Sequence, residues 1–286
     1  MGVIADIFGY LLNALYMVFQ NYGLAIIVFT IILRLLLLPI TIKQQQTVQK
    51  SAKLQEQMKE IQEKYKNNQE KMNFEIMDLY KREKMNPFSG CLSGILQIFI
   101  ILSVFFLVSS PLTHMKKVDE SVIENYKQEI AQEGNGKSAY PEIQIIQKKA
   151  AEDENVFINM NFLGLDLSVV PTERLNDYRT YIIPGLYILS SIASIKMTTN
   201  MQAKNQKKKD EIIVQDNGEK KEEEFDAMAQ MSKNMTIMMP IMSVSIAAIA
   251  PLGLALYWLV SNVLIIIERL VMNKIEQYKE AKANAE

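Results

Sequence analysis

Residues 22–42 read YGLAIIVFTIILRLLLLPITI, from Tyr22 to Ile42, with Arg34 as the single charge. A helix needs about 20 predominantly apolar residues to cross the hydrocarbon of a bilayer. This stretch meets that requirement, and it sets the pattern for the rest: long apolar runs separated by strongly charged segments. Residues 89–111 (SGCLSGILQIFIILSVFFLVSSP) meet it without a charge. Residues 178–199 (YRTYIIPGLYILSSIASIKMTT) form a weaker span, rich in Ser and with Lys196 near its end. Residues 234–272 are too long for one span; Pro251 and Gly253 divide them into 234–250 and 252–272, a tight helical hairpin. The reading is an all-α polytopic membrane protein with five spans.

Residues 4–19 are apolar but short. No basic residue precedes them, Asp6 lies among them, and no A-x-A cleavage site follows. A cleaved signal peptide fits these features poorly. An amphipathic helix over residues 1–20, lying on the membrane surface, fits them better.

Composition narrows the chemistry. Lys+Arg 31 against Asp+Glu 32 gives no excess of charge that would point to nucleic acid. A hydrophobic fraction of 49% is an average over two unlike kinds of segment. The single Cys, Cys91, excludes a disulfide framework and a cysteine-based metal site, and reads as a small packing residue. The single His, His114, reads as an outer-interface residue without a special role. There is no GxxxxGK[ST] stretch, hence no simple case for an NTPase. The expectation is a protein that is not an enzyme and uses no cofactor or metal.

Lys and Arg set the orientation. The segment after the first span carries ten of them, from Lys43 to Lys84. Lys196, Lys204, Lys207, Lys208 and Lys209 attend the third span, and Arg269, Lys274 and Lys279 the last. Residues 112–177 hold only Lys116, Lys117 and Arg174 close to their flanking spans, and there acids outnumber bases. That loop belongs outside, with the N-terminus; residues 43–86, the loop 200–232 and the tail 273–286 belong in the cytoplasm.

Residues 43–86 read as a helical hairpin. Val48, Leu54, Met58, Ile61 and Tyr65 form one stripe, and Met72, Ile76, Met77 and Tyr80 form the other, with a turn at residues 66–69. Two antiparallel helices would bury these stripes against each other. The hairpin is either a solvated linker or a docking surface beside the membrane. In the outer loop a helix is expected over 118–132, and the apolar stretch 156–167 is expected to pack against the membrane face. Residues 200–232, rich in Lys and Glu, read as mobile.

Arg34 is the informative residue of the spans. An Arg at mid-span costs about 2.5–3.5 kcal/mol even on the lenient insertion scale. It lies about eight residues, or roughly 12 Å, from Ile42, farther than a snorkelling Arg usually sits. No Asp or Glu occurs in the middle of another span, and Glu268 reads as a poor match in depth. A water-filled cavity is then the expected surrounding of Arg34. Thr30 lies one turn before it. Gln97 in the second span, Ser190, Ser191 and Ser194 in the third, and Trp258, Ser261 and Asn262 in the fifth could line the same cavity. For the Ser residues close helix packing is the competing reading.

The order NYGLAIIVFTIILRLLLLPITIKQQ, charged hairpin, NPFSGCLSGILQ, FLGLDLS, and PLGLALYW followed by SN resembles the YidC family of membrane protein insertases, in its signal-less Gram-positive form. The match runs over nearly the whole chain. The resemblance implies five core helices around a hydrophilic groove that opens to the cytoplasm and the lipid and is closed outside. It puts the family's groove arginine at Arg34 and the aromatic of the last span at Trp258. Where many relatives carry Gln in the third span, Ser194 stands here. The resemblance also implies a place in the bacterial plasma membrane. The expected partners are nascent membrane proteins, the lipid bilayer, the ribosome and the Sec translocon, with no small-molecule substrate; the expected state is a monomer. The rivals are a small-molecule transporter, which would favour internal repeats, and a membrane-embedded enzyme, which would need a nucleophile, metal ligands or an acid–base pair within the spans. The sequence offers none of these.

Overall fold

The computed structural model describes residues 2–66, 68–83, 89–133, 138–213 and 246–283. The described helices are α1 (Gly2–Phe19), α2 (Tyr22–Lys64), α3 (Gln69–Arg82), α4 (Ser89–Ser109), α5 (Glu120–Gln132), α6 (Pro141–Lys149), α7 (Ile182–Ile213) and α8 (Leu252–Ala283). Strands β1 (Asn161–Phe162) and β2 (Leu165–Asp166) form one short antiparallel hairpin. Four helical segments among the described residues are long and apolar enough to cross a membrane: Gly2–Phe19, Tyr22–Gln44, Tyr178–Met197 and Leu252–Ile275. Ile98–Ser109 is a shorter apolar part of α4. Of the expected fourth span only 246–250 fall among the described residues. The chain is an all-α polytopic membrane protein.

The chain divides into two compact units, one of Leu35–Val104 and one of Gly2–Arg34 with Phe105–Glu286. In the first unit the charged hairpin is closed by contacts between its arms. Tyr80 Oη lies 3.5 Å from Met58 Sδ, and Tyr65 Oη lies 3.5 Å from Glu75 Oε1. Asn68 caps α3 by accepting from the Lys71 amide at 3.0 Å. The sequence reading ended the first span at Ile42; α2 instead continues unbroken through Pro39 into the hairpin's first arm. An interior Pro is tolerated in membrane helices because neighbouring groups can satisfy the freed carbonyl. The second stripe also differs from expectation. Met77 is exposed, and Leu79 is buried in its place. Met72, Ile76 and Leu79 follow the helical four-then-three spacing, whereas Met77 lies off that line.

In the second unit α1 buries Ala5, Gly9, Leu12 and Tyr16, a stripe at spacings of four and three. Gly9 meets the backbone of a π-helical turn, Leu112–Lys116. A Cβ there would stand 1.9 Å from the His114 carbonyl oxygen, so only glycine allows this approach. The opposite face of α1 exposes Val3, Ile7, Tyr10, Met17 and Val18. Asp6 accepts from both His114 Nδ1, at 2.9 Å, and Lys117 Nζ. His114 thus has a definite structural partner, which its isolation in the sequence concealed.

The loop of residues 112–177, expected outside and called the outer loop for that reason, is more ordered than its sequence suggested. Its expected first helix begins at Glu120, after the N-cap Asp119, and α6 was not anticipated. The Glu142 carboxylate, buried, accepts from the Leu112 amide at 2.8 Å, the Thr113 amide at 3.0 Å and the Thr113 hydroxyl at 2.6 Å. Residues 156–167 do not present one continuous face. Val156, Ile158 and Met160 are buried, while Phe157 and Leu163 are exposed.

This loop fixes the starts of two spans. Phe162 packs over Gly23, where a Cβ would lie 2.4 Å from its ring. Asn21 Nδ2 donates to the Asn161 carbonyl at 2.7 Å. The Leu252 and Gly253 amides donate to the Val169 and Leu167 carbonyls, each at 2.9 Å. The first amides of a helix have no intrahelical acceptor; here the outer loop supplies two.

Candidate functional site: a polar seam among the spans

With the starts of α2 and α8 set by that loop, α2, α7 and α8 bring polar side chains together. The Arg34 guanidinium donates to Ser261 Oγ from Nε at 3.1 Å and also from Nη2. Arg34 is half-buried and Ser261 is buried. The Arg turns to a hydroxyl on another span rather than reaching along its own helix toward the interface. Among the described residues no carboxylate lies within ion-pairing distance of it.

One helical step onward on α8, Asn262 Nδ2 donates to Ser190 Oγ at 3.0 Å and Ser191 Oγ at 3.2 Å. Ser190 in turn donates to the Tyr187 carbonyl at 2.8 Å. One turn earlier on α8, the Tyr187 and Trp258 rings stand 6.1 Å apart. Two turns in the other direction, Arg269 Nη1 donates to Ser194 Oγ at 3.2 Å and to the Ser194 carbonyl at 3.4 Å. Trp258, Asn262 and Arg269 recur at four and seven, so a single face of α8 carries all three contacts with α7. Ser190 and Ser191 are therefore both small packing residues and hydrogen-bond partners; the two readings of their sequence are compatible.

Seven of the nine residues singled out from the sequence join this seam: Arg34, Ser190, Ser191, Ser194, Trp258, Ser261 and Asn262. Thr30 does not. It is wholly buried, and its hydroxyl donates to the Ile26 carbonyl of its own helix at 2.6 Å. That internal bond satisfies the hydroxyl without a cavity. Gln97 lies on α4 within the other unit, and its side chain falls outside the described residues.

Two seam residues were missed. Tyr187 has no polar signature in an apolar run. Arg269 was counted only among the charges that attend the end of the last span; Glu268 was read at its cytoplasmic end, a poor match in depth for Arg34. Glu268 Oε2 is buried and has no hydrogen-bond partner. Among the described residues no three His, Cys, Asp or Glu side chains converge as a bound metal would require.

Several apolar spans joined by a seam of hydroxyls, an amide and guanidinium groups define a multi-pass membrane protein of the cell membrane with a polar site between its helices. The chain belongs to the 60Kd inner membrane protein family, whose family model matches residues 14–281. The resemblance to YidC proteins is thereby borne out. Over 271 residues, 95% of this chain, it is 27% identical to the membrane protein insertase YidC of Geobacter metallireducens and covers 37% of that relative. It is 40% identical over 108 residues to the YidC insertase of Caldanaerobacter subterraneus subsp. tengcongensis, covering 38% of this chain and 52% of the relative. The YidC insertase of Fusobacterium nucleatum is 33% identical over 109 residues, 38% of this chain and 53% of that protein. The matches thus span about half or less of these curated relatives.

Proposed function

We propose that the chain is a membrane protein insertase. It receives hydrophobic segments of nascent membrane proteins in a polar groove lined by the Arg34 seam and releases them sideways into the bilayer. The observation that carries this reading is the state of Arg34, a half-buried cation at span level held by a hydroxyl and not by a carboxylate. A cation so placed is stable only with water or polar groups around it. It can attract acidic or polar stretches of an incoming chain, and the attraction is stronger there than in bulk water. The substrate's apolar helix then gains about 0.8 kcal/mol for each CH₂ transferred to lipid. No covalent step, cofactor or nucleotide enters this mechanism.

The rest of the topology follows the charge distribution. The protein lies in a bacterial plasma membrane with residues 112–177 and the N-terminus outside. The hairpin 43–86 and the C-terminal tail are cytoplasmic, and the groove opens to that side. Helix α1 lies in the outer interface. Its packed face against the outer loop and its exposed apolar face favour that placement, although its length would also allow a span. The hairpin is the docking element for the ribosome or the Sec translocon. Its exposed Phe74 and Met77 give it an apolar patch among charges. The protein acts as a monomer.

Reconstitution tests the reading. Purified protein in liposomes should insert a short single-span substrate without ATP, measured as a protease-protected fragment. Equal protection in protein-free liposomes would reject it.

A further inference from the structure

We propose that the hairpin of β1 and β2 is a lipid anchor: its tip residue, Leu163, sits among the acyl chains just below the bilayer surface at the Tyr22 end of α2. This role requires only that the chain spans a membrane, so anchoring and insertion activity can fail separately.

Asn161 pairs with Asp166 and Phe162 with Leu165, which leaves Leu163 and Gly164 as a two-residue turn. Both have positive φ, 51° and 79°. Such a turn favours Asn, Asp or Gly at its first central position, because the left-handed region crowds a Cβ against the backbone. Leu163 is nonetheless 87% exposed, so contacts within the chain do not offset that cost. Strain kept at one residue by a well-determined surrounding points to a role for its side chain.

The mounting of the hairpin fixes what the tip can meet. Asn21 Nδ2 donates to the Asn161 carbonyl at 2.7 Å, and Asn159 Nδ2 donates to the Gln20 carbonyl at 2.9 Å. The Tyr22 amide donates to the Asn159 carbonyl at 3.0 Å, and Phe162 packs over Gly23. The hairpin is thereby clamped to the junction of α1 and α2, where the apolar segment Tyr22–Gln44 starts. Val18 and Leu24, on either side of that junction, are themselves exposed. Residues 162–165 carry no charge. An uncharged apolar tip held at the level where a span begins fits the boundary between headgroups and acyl chains. The strands stay at headgroup level, within reach of water. The Gly164 amide already donates to Asn161 Oδ1 at 3.2 Å and adds no unpaired donor.

The experiment uses the full-length protein in vesicles of phosphatidylcholine and phosphatidylglycerol, in a Cys91→Ser background. A nitroxide is attached at Leu163→Cys, at Leu189→Cys or at Glu154→Cys. Leu189 is exposed on the apolar segment of α7, and Glu154 is exposed in the outer loop. Collisions are measured with oxygen, which concentrates in lipid, and with a polar nickel chelate, which stays in water. The oxygen-to-nickel ratio at Leu163 should approach that at Leu189 and exceed that at Glu154. A ratio equal to that at Glu154 would put the tip in water and overturn the anchor. Weak collisions with both reagents would mean that protein covers the tip, and would overturn it too. Leu163→Asn checks the same point without a label. Asn suits a positive φ better than Leu, so a tip in water would gain and hydrogen exchange over residues 159–167 would slow. Loss of a seated Leu should instead raise that exchange several-fold in the same vesicles. Slower or unchanged exchange would overturn the anchor.

Discussion

Arg34→Ala separates a wet functional cation from a structural one. The substitution removes two donor contacts to Ser261 Oγ. Hydrogen bonds to charged groups contribute about 1.5–3 kcal/mol net. Against this, an Arg at mid-span costs about 2.5–3.5 kcal/mol. The two largely offset each other, so Arg34→Ala should alter the stability of the folded protein by no more than about 2 kcal/mol. Function should change more. A cation and a carboxylate 4 Å apart attract by about 1 kcal/mol in water and about 4 kcal/mol near a protein surface. Insertion of a substrate with an acidic translocated stretch should therefore fall roughly tenfold or more, and that of a neutral one less. Arg34→Lys should retain substantial activity, because an ammonium is also a hydrated cation. Ser261→Ala adds a control. In a dry site it strands guanidinium donors at a cost of about 1–3 kcal/mol; in a wet groove water replaces the hydroxyl and stability barely moves. The assay is protease protection in proteoliposomes, paired with thermal unfolding in detergent. Normal insertion of several substrates, acidic ones included, by well-folded Arg34→Ala protein would refute the electrostatic account. So would loss of folded protein in Arg34→Ala.

Other outcomes follow from the same contacts. Gly9→Val should detach α1 from the Leu112–Lys116 turn, seen as faster hydrogen exchange over Gly2–Phe19, because even one Cβ would collide with the His114 carbonyl. Deleting residues 49–77 and bridging the gap with a flexible linker should leave a folded membrane domain with poor insertion; full insertion would remove the docking role. In the outer loop, Asp153 is held below its ordinary value of 3.8 by the Asn155 amide and then by the Tyr126 hydroxyl. Its contribution is complete above that ordinary value and is lost as pH falls through the lowered one. Hydrogen exchange of Glu120–Gln132 should rise on strong acidification, less so in Asp153→Asn, which has already lost the charge.

The spans that begin at Tyr22, Tyr178 and Leu252 were legible because a bilayer imposes a length and a polarity that hydropathy reads directly. The site was legible where a polar residue was costly in its surroundings. Arg34, Asn262 and Ser261 stood out for that reason, and the structure joins each to another span. Thr30 misled because a hydroxyl can be satisfied by its own helix, as Ile26 satisfies it here. Arg269 was hidden because it was counted only as a charge flanking the last span, whereas it bonds to Ser194. Helix α8 continues to Ala283, and its faces keep their period beyond the apolar stretch. The outer loop was least legible. Strands of two residues show no alternation, and the Glu142 cap of Leu112 and Thr113 joins positions about thirty residues apart.

The most direct test of the receiving seam is site-specific photo-crosslinking in cells to a stalled single-span membrane protein. Probes at Ser191, Trp258 and Asn262 should form adducts with the apolar span of the nascent chain. A probe at Leu175, exposed in the outer loop, should not. Adducts at Leu175 equal to those at the seam, or none at the three seam positions while the substrate still inserts, would contradict it.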